Sequence, residues 1–594
     1  MLEPILTYVD TILIFIVFAL SLNLLQGYAG QVSVAHAAFG AVGGYTLGYL
    51  VLHYHFGPLE AMIAGTLFAG ILGALVGIPA LRLTTEWLIL LTLSVQTVVV
   101  LLVTTTAALG GTYGLQNIDG LKVFGHELDN PSDMFPLFLV CTLIVYGVCY
   151  RMGESPYGRV LKGIREDEIA CRSLGKNVFT YKLTVFGITA GMAGLAGSML
   201  VVNSTVSTPL LFGFDQSSAI VAMVVIGGAG NLVGSLIGVM VLVLLGPLFE
   251  HVLNLSSDAA FLWRLIAYGV ALIAVLMIKP AGLYPDVTTR RLGRSVARLK
   301  KADTEEFEPH VHLEAAKEAE KGLELPRARA MSDNGKVEAP QNEVVLQIRD
   351  ISKKFGGITA AEALDMDLRR GTITALVGPN GAGKTTVFNL ITGAIVPDRG
   401  SVLLRGQEIV GLTPDQVTKR GMTRSFQAVR VFPRLSVLEN VMLGLQDQPS
   451  EHLGPLFLNP GAGAKKEKEV EERSRQWLEF VGMGGYADDA AGALAFGQQK
   501  LVALARVLST ESEVLLLDEP ASGIDFHWVN VMLELIEQIK QQGRTVCIVE
   551  HNLHVVDRLA DHTYFMELGR ITAQGSFAEL TTDARLAEAY FGTK

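Results

Sequence analysis

Apolar residues are spread along this chain in two ways. Up to about residue 285 they form runs near 10–27, 32–52, 59–81, 87–108, 134–150, 183–201, 216–227, 231–250 and 260–278. Apolar runs of roughly 18 or more residues are at home only in hydrocarbon, so this half predicts a helical membrane domain of about eight or nine spans. Two runs are interrupted. Gly27, Gly30, Gly40, Gly43 and Gly44 break the second, and the seventh is short and ends in Gly227-Gly228-Ala229-Gly230. Glycines so placed either unwind a helix beside a substrate path or let helices pack closely, and the pattern leaves both open. Between spans, Ser155 to Ala170 is amphipathic, with Val160, Leu161, Ile164 and Ile169 on one helical face. That is the shape of a helix that docks on another domain, or of a solvated loop helix.

From Val344 the pattern changes to short bursts. Val344-Val345-Leu346-Gln347-Ile348, Ile373-Thr374-Ala375-Leu376-Val377, Val514-Leu515-Leu516-Leu517 and Thr545-Val546-Cys547-Ile548-Val549 read as buried strands, and 501–508 has helical spacing. The expected fold is therefore multidomain. An N-terminal polytopic α-helical membrane domain (1–285) is followed by a charged linker (286–343) and a C-terminal α/β domain (344–594). The linker has too few apolar residues for a core and predicts a solvated segment with some helix, with an r.m.s. reach on the order of 40 Å. Its basic start can rest on anionic lipid headgroups.

Charge orients the membrane half. Arg151, Arg159, Lys162, Arg165, Arg172, Lys176 and Lys182 between spans face the cytoplasm by the positive-inside rule, as do Arg290, Arg291, Arg294 and Arg298 after the last span. Counting back places the N-terminus outside and the C-terminal domain in the cytoplasm. The start lacks a basic region and cleavage site, so the first run reads as a retained span. A net charge of −10 argues against nucleic acid as a partner. Cys141, Cys149, Cys171 and Cys547 form no CxxC pair, which leaves neither a zinc site nor a disulfide framework. Asn23, Gln31 and His36 are polar residues in apolar surroundings; they serve either a substrate path or hydrogen bonds between helices.

The strongest chemical signal is Gly378-Pro379-Asn380-Gly381-Ala382-Gly383-Lys384-Thr385-Thr386, between a predicted strand and a predicted helix. It has the GxxxxGK[ST] spacing in which backbone N–H groups and a helix N-terminus cradle phosphates. Lys384 reaches the β- and γ-phosphates, and the Thr385 hydroxyl suits Mg²⁺. Asp518, ending an apolar strand, is a second Mg²⁺ candidate, and Glu519 is placed to polarise an attacking water. His551 ends another strand and can contact the γ-phosphate; Gln427 can sense Mg²⁺ and the water. Phe355 can stack on adenine or fill the core. Leu494-Ala495-Phe496-Gly497-Gln498 precedes a helix whose N-terminus can face a phosphate. ATP and Mg²⁺ are the cofactors this set predicts.

Together these residues resemble the ATP-binding cassette ATPases over 344–594. Gly378 to Thr385 match Walker A, Val514 to Asp518 Walker B, Glu519 the catalytic glutamate, Gln427 the Q-loop, Ala521 to Asp525 the D-loop and His551 the switch histidine. Leu494 to Gln498 fall on the signature, usually LSGGQ, with Ala495 for Ser and Phe496 for Gly. Arg424-Ser425-Phe426-Gln427, Val437-Leu438-Glu439-Asn440-Val441, the insert near 446–470 and Val549-Glu550-His551-Asn552 look like the ATPase of branched-chain amino acid importers, where alanine in the signature is usual. The first half is similar to the matching permease: Ser21-Leu22-Asn23-Leu24, Gly27-Tyr28-Ala29-Gly30-Gln31-Val32-Ser33, His36-Ala37-Ala38-Phe39-Gly40, Ile164-Arg165-Glu166-Asp167-Glu168 and Lys279-Pro280-Ala281-Gly282-Leu283. The resemblance implies ATP-driven import by a fused permease and ATPase, with 155–177 as the coupling region. It also implies a second permease subunit, a second ATPase subunit, a periplasmic solute-binding protein and the lipid bilayer as partners. Relatives of this permease type carry urea, amides or aromatic acids, which are the alternative solutes. Short cytoplasmic loops disfavour an exporter, and the membrane half disfavours a soluble cassette acting on nucleic acid.

Overall fold

The computed structural model describes residues 2–83, 85–118, 122–123, 126–127, 130–249, 257–302, 343–446 and 448–582. In chain order, the helices needed below are α1 (Leu2–Leu22), α2 (His36–Tyr54), α3 (Pro58–Ala80), α4 (Thr85–Thr105), α5 (Pro131–Gly153), α6 (Pro156–Glu166), α7 (Glu168–Ser173), α8 (Val178–Ser204), α9 (Phe214–Gly227), α10 (Leu232–Val243), α11 (Ser257–Ile278), α12 (Val287–Ala302), α13 (Lys384–Ile391), α14 (Leu453–Leu458) and α15 (Phe496–Leu508). The chain divides into two compact units, and the division does not follow the sequence halves. The first holds Met1–Glu166, Val178–Arg290 and Ser450–Leu458; the second holds Asp167–Asn177, Arg291–Pro449 and Asn459–Lys594.

In the first unit, six helical stretches among the described residues have the length and apolarity to cross a membrane: Leu6–Tyr28, Pro58–Ala80, Glu86–Thr105, Pro131–Gly153, Val178–Ser204 and Pro209–Gly227. The runs at 32–52, 231–250 and 260–278 are helical as well (α2, α10 and α11) but do not reach that length and apolarity among the described residues. The run at 32–52 does form α2, but glycines, tyrosines and His36 and His53 dilute its apolar character. The run at 231–250 gives the short α10 and a further helical turn, Leu245–Pro247. Leu6–Tyr28 is 72% buried and Val178–Ser204 78% buried, so α1 and α8 are central, whereas α4 and α5 show most of their surface outward. Glycine sets the packing of α2 on α8. A Cβ on Gly43 would lie 2.0 Å from the Gly194 carbonyl oxygen, and one on Gly197 would lie 1.9 Å from that of Gly40. Without lipid-side hydrophobic drive, such close backbone approach supplies the dispersion contacts that hold helices together. Close packing is thus the role of Gly40 and Gly43, and α2 is unbroken.

The chain unwinds elsewhere: after the π-helical turn Asn23–Tyr28 that ends α1, and at 228–231 between α9 and α10. Asn23 joins the two places. Its Nδ2 donates to Asn231 O at 2.8 Å and its Oδ1 accepts from Gly230 N at 2.7 Å. Arg165 of α6 donates to Gly27 O and pairs with Asp286 at 3.2 Å. Asn231 in turn caps α10 by accepting from Gly234 N at 3.1 Å.

The amphipathic stretch 155–170 is two helices rather than one. Asp167 is extended (φ −154°, ψ 103°) and its side chain caps α7 by accepting from Ala170 N at 2.9 Å. Val160, Leu161 and Ile164 of α6 are buried in the first unit, while Ile169 of α7 is 52% exposed, so they share no face. The segment Asp167–Asn177 belongs to the second unit. There Asp167 pairs with Arg430 at 2.7 Å, Ser173 O accepts from Thr418 at 2.9 Å, Leu174 O accepts from Gln446 at 2.7 Å, and Lys176 donates to Leu445 O at 3.0 Å.

The second unit has a six-stranded and a four-stranded sheet. In chain order the strands are β1 (Val344–Phe355), β2 (Ile358–Arg369), β3 (Ile373–Val377), β4 (Arg399–Leu404), β5 (Gln407–Glu408), β6 (Met422–Arg424), β7 (Val514–Asp518), β8 (Thr545–Val549), β9 (His562–Glu567) and β10 (Arg570–Gly575). The larger sheet runs β10-β9-β3-β8-β7-β6, parallel except for β10; the smaller runs β2-β1-β4-β5, antiparallel. β3, β7 and β8 are buried at every residue, as their unbroken apolar sequence requires for a sheet covered on both faces. The start of the expected flexible linker is instead helix α12. From Arg291 on it is part of this unit: Arg291 pairs with Glu439, Arg298 with Asp489, and Ser295 Oγ accepts from Ala490 N at 3.0 Å. Its arginines and Ser295 recur at helical spacing, which gives the charged sequence a partner-bearing face. The rest of the linker, 303–342, lies outside the described residues.

Candidate functional site

β3, β8 and β7 are parallel neighbours, with Val549 level with both Leu376 and Asp518, so their C-terminal ends meet at one edge. That is where ligands bind in open α/β sheets. After β3 the loop Gly378, Pro379, Asn380, Gly381, Ala382, Gly383 turns into α13, which opens with Lys384, Thr385 and Thr386. Gly383 has φ +105°, and a Cβ there would stand 2.2 Å from the Ala360 carbonyl oxygen, so only glycine keeps the loop in place. Lys384 Nζ donates to Gly378 O at 2.7 Å and Pro379 O at 2.9 Å, which folds the ammonium over the loop. Burial holds its pKa below the usual lysine value, against the attraction of Glu519 and Asp518.

Asp518 ends β7. Its Oδ2 accepts from Arg424 Nη2 at 2.7 Å, and Arg424 Nη1 donates to Asn389 of α13. Burial raises Asp518 and lowers Arg424, each toward its neutral form, while their mutual attraction opposes both shifts. The second oxygen, Oδ1, is buried with no hydrogen-bond partner. Thr385, Gln427 and Asp518 line one cavity of about 710 Å³. An orphaned carboxylate oxygen, a hydroxyl and an amide around one cavity are hard oxygen donors, and they fit Mg²⁺.

Glu519 follows in a left-handed conformation, φ +49°. Its Oε2 accepts from Gln427 Nε2 at 2.9 Å, and its Oε1 lies 3.8 Å from His551 Nδ1. The three residues expected to serve catalysis are thereby brought together. Leu494, Gly497 and Gln498 are buried at the start of α15, with Ala495 and Phe496 exposed; Asp525 is exposed at the head of the helix Phe526–Gln541. Phe355 ends β1, 45% exposed, with Lys353 Nζ 5.7 Å from its ring centre.

Sequence reasoning passed over three residues at this edge. In the sequence Arg424 stands only as a neighbour of Gln427, yet in the fold it is the partner of Asp518. Lys500 of α15 donates to the carbonyls of Glu519, Pro520 and Ser522, tying that helix to the strand end. Glu550 is fully buried, accepts from Ala521 N at 3.0 Å, and is raised by burial. The available signal was charge set directly against apolar strands, which is costly unless each group has a partner.

Of the polar residues in the first unit, Asn23 spends both amide atoms on backbone, as described above. Gln31, in the unwound stretch before α2, and His36, at its start, are 1% exposed, and none of their polar side-chain atoms has a hydrogen-bond partner. Two further polar groups stand inside this unit. Asp10 of α1 is fully buried with both oxygens unpartnered. Gln96 of α4 is buried and satisfied, accepting from Ala38 N at 2.8 Å and donating to Phe212 O at 2.7 Å.

The family model for the branched-chain amino acid transport system permease component matches residues 5–278, and that for the ABC transporter matches residues 361–522. The cassette half is 33% identical over 252 residues to the high-affinity branched-chain amino acid transport ATP-binding protein LivG of Salmonella typhimurium, covering 42% of this chain and 99% of that protein. The chain belongs to the branched-chain amino acid ABC transporter family. BraF of Pseudomonas aeruginosa, another high-affinity branched-chain amino acid transport ATP-binding protein, is 32% identical over 250 residues, 42% of this chain and 98% of its own length. A crystal structure of a nucleotide-free ATP-binding cassette from an ABC transporter aligns with 30% identity and a TM-score of 0.37, over 42% of this chain and all of that one. This ABC transporter chain therefore carries a permease and an ATP-hydrolysing cassette in one polypeptide.

Proposed function

We propose that this chain imports branched-chain amino acids across the cytoplasmic membrane, as a permease fused to its ATPase. The single observation that carries the reading is Glu519, set between Gln427 and His551 at the strand end beside the phosphate loop, in a chain whose other half matches the permease. Gly378 to Thr386 bind the triphosphate through backbone N–H groups, with Lys384 leaving its two carbonyls for the β- and γ-phosphates. Thr385, Gln427 and Asp518 would hold Mg²⁺, which would neutralise phosphate charge. Glu519 accepts the proton of the attacking water, Gln427 orients that water, and His551 contacts the γ-phosphate. Phe355 stacks on adenine.

Leu494 to Gln498, at the N-terminal turn of α15, and Asp525 face the phosphates of a second ATPase subunit. A second permease subunit and a periplasmic solute-binding protein complete the importer, with the N-terminus on the periplasmic side. Asp167–Asn177 carries motion between ATP closure and the solute path, and its packing against Thr418, Arg430, Leu445 and Gln446 supports that role. The test uses membrane vesicles holding the assembled importer. Glu519→Gln should retain ATP binding and lose turnover and leucine uptake by at least a hundredfold, the scale of a lost general base. Normal uptake in that variant would remove Glu519 from the mechanism, and uptake of urea in preference to leucine would overturn the solute.

A further inference from the structure

Helix α14 lies within the cassette sequence yet packs in the first unit. Arg151, in the last turn of the spanning helix α5, fixes its position: Nε and Nη2 donate to the Leu456 carbonyl at 3.1 and 3.0 Å. Leu456 is buried, but the next two residues, Phe457 and Leu458, are 42% and 87% exposed. α5 itself shows Val140, Leu143, Ile144 and Tyr150 outward, and only 28% of its span is buried. Tyr150 and Arg151 are the residue types that mark the level where hydrocarbon meets headgroups. Two large apolar side chains therefore stand next to a carbonyl that is hydrogen-bonded at that level.

We propose that α14 is a membrane-interface anchor, with Phe457 and Leu458 entering the lipid at the cytoplasmic boundary of the bilayer. Continuity selects lipid over protein, because these side chains extend the outward apolar surface of α5, which hydrocarbon already covers. A short helix with its polar backbone tied down and its apolar tip free is built to lie in that boundary. The anchor gives the cassette sequence a hold on the membrane separate from the covalent link at 286–343.

The inference rests on the first unit being embedded, and the experiment separates the two. In the full chain, Cys141→Ala removes the one native thiol that is not buried; Cys149, Cys171 and Cys547 are buried. Single cysteines are then placed by Leu143→Cys, Phe457→Cys, Leu458→Cys and Lys465→Cys and spin-labelled in phosphatidylethanolamine/phosphatidylglycerol vesicles. Collision of each label with oxygen, which partitions into lipid, is compared with collision with a water-soluble nickel chelate. Labels at 143, 457 and 458 should favour oxygen several-fold relative to the label at 465. If 143 favours oxygen while 457 and 458 favour nickel, the anchor is refuted and embedding stands. Labels at 457 and 458 reached by neither probe mean that protein, such as a second subunit or a second copy, covers the surface, which also refutes it. A label at 143 that favours nickel removes the embedded reading itself. Two anchor sites keep the result decisive if one variant fails to insert.

Discussion

The phosphate edge of the cassette and the polar residues of the permease both set polar side chains against apolar packing, and their hydrogen bonding is finished to different degrees. At the phosphate edge, Arg424 holds Asp518, Gln427 holds Glu519, Lys500 holds three carbonyls and Glu550 holds Ala521. In the permease, Asn23 and Gln96 are equally well tied, but Asp10, Gln31 and His36 are buried with nothing to bond. A site for ATP must present charges in fixed geometry before the nucleotide arrives, so its groups restrain one another. Unpartnered polar groups in an apolar unit lower its stability.

The largest effect expected is on the cassette side. Arg424→Ala leaves Asp518 as a lone buried charge, since the pair's side chains are only 5% and 1% exposed. Breaking such a pair from one side costs about 3–5 kcal/mol, read as a fall in the cassette's thermal midpoint. Burial already raises Asp518. A carboxyl raised in the folded state is penalised most above its folded pKa, so the loss should shrink as pH falls through that value. Replacing both partners by leucine should restore most of the stability and abolish ATPase activity. If Arg424→Ala is as stable as the parent, the ion pair is not what holds Asp518.

On the permease side the sign should reverse. Gln31→Leu removes a buried amide with no hydrogen bond, so about 1–3 kcal/mol of stability should be gained, read as a higher melting temperature in detergent. Uptake should fall if Gln31 meets the solute; a stable variant with unchanged uptake assigns Gln31 to packing alone. Asn23→Ala, a few residues away, should destabilise by about 1–3 kcal/mol by stranding Gly230 N and Asn231 O. Equal shifts of one sign in both variants would erase the distinction between tied and untied groups.

The same contrast decides what the sequence could reveal. The phosphate loop, Asp518, Glu519, Gln427 and His551 were legible because their chemistry needs given residue types at given positions on strand ends, and parallel strands bring those ends together. Asn23, Gln31 and His36 were visible only as polar residues among apolar ones, and nothing local separates a tied amide from an untied one. The partner of Asn23 lies more than two hundred residues along the chain. Periodicity also joined α6 to α7, since Ile169 recurs at an acceptable spacing, and only the extended backbone of Asp167 shows the break. The exchange of Asp167–Asn177 and Ser450–Leu458 between units is set by tertiary contacts and leaves no pattern in the hydrophobic positions.

The first turn of α15 is a further unfinished place on the cassette side, and it yields the smallest effect. Ala495 occupies the N-cap position of α15 with the extended backbone of a capping residue (φ −62°, ψ 155°), and its N–H is answered by Gln498 Oε1 at 3.0 Å. That is half of a capping box; the other half needs a side-chain oxygen at 495 to accept from the first turn, and alanine has none. Ala495→Ser should therefore stabilise the cassette by about 0.5–2 kcal/mol, measured by urea unfolding of the full chain followed at a cassette probe. No gain in stability would mean that the first turn of α15 already has its acceptors, and that the cassette edge is complete without the serine.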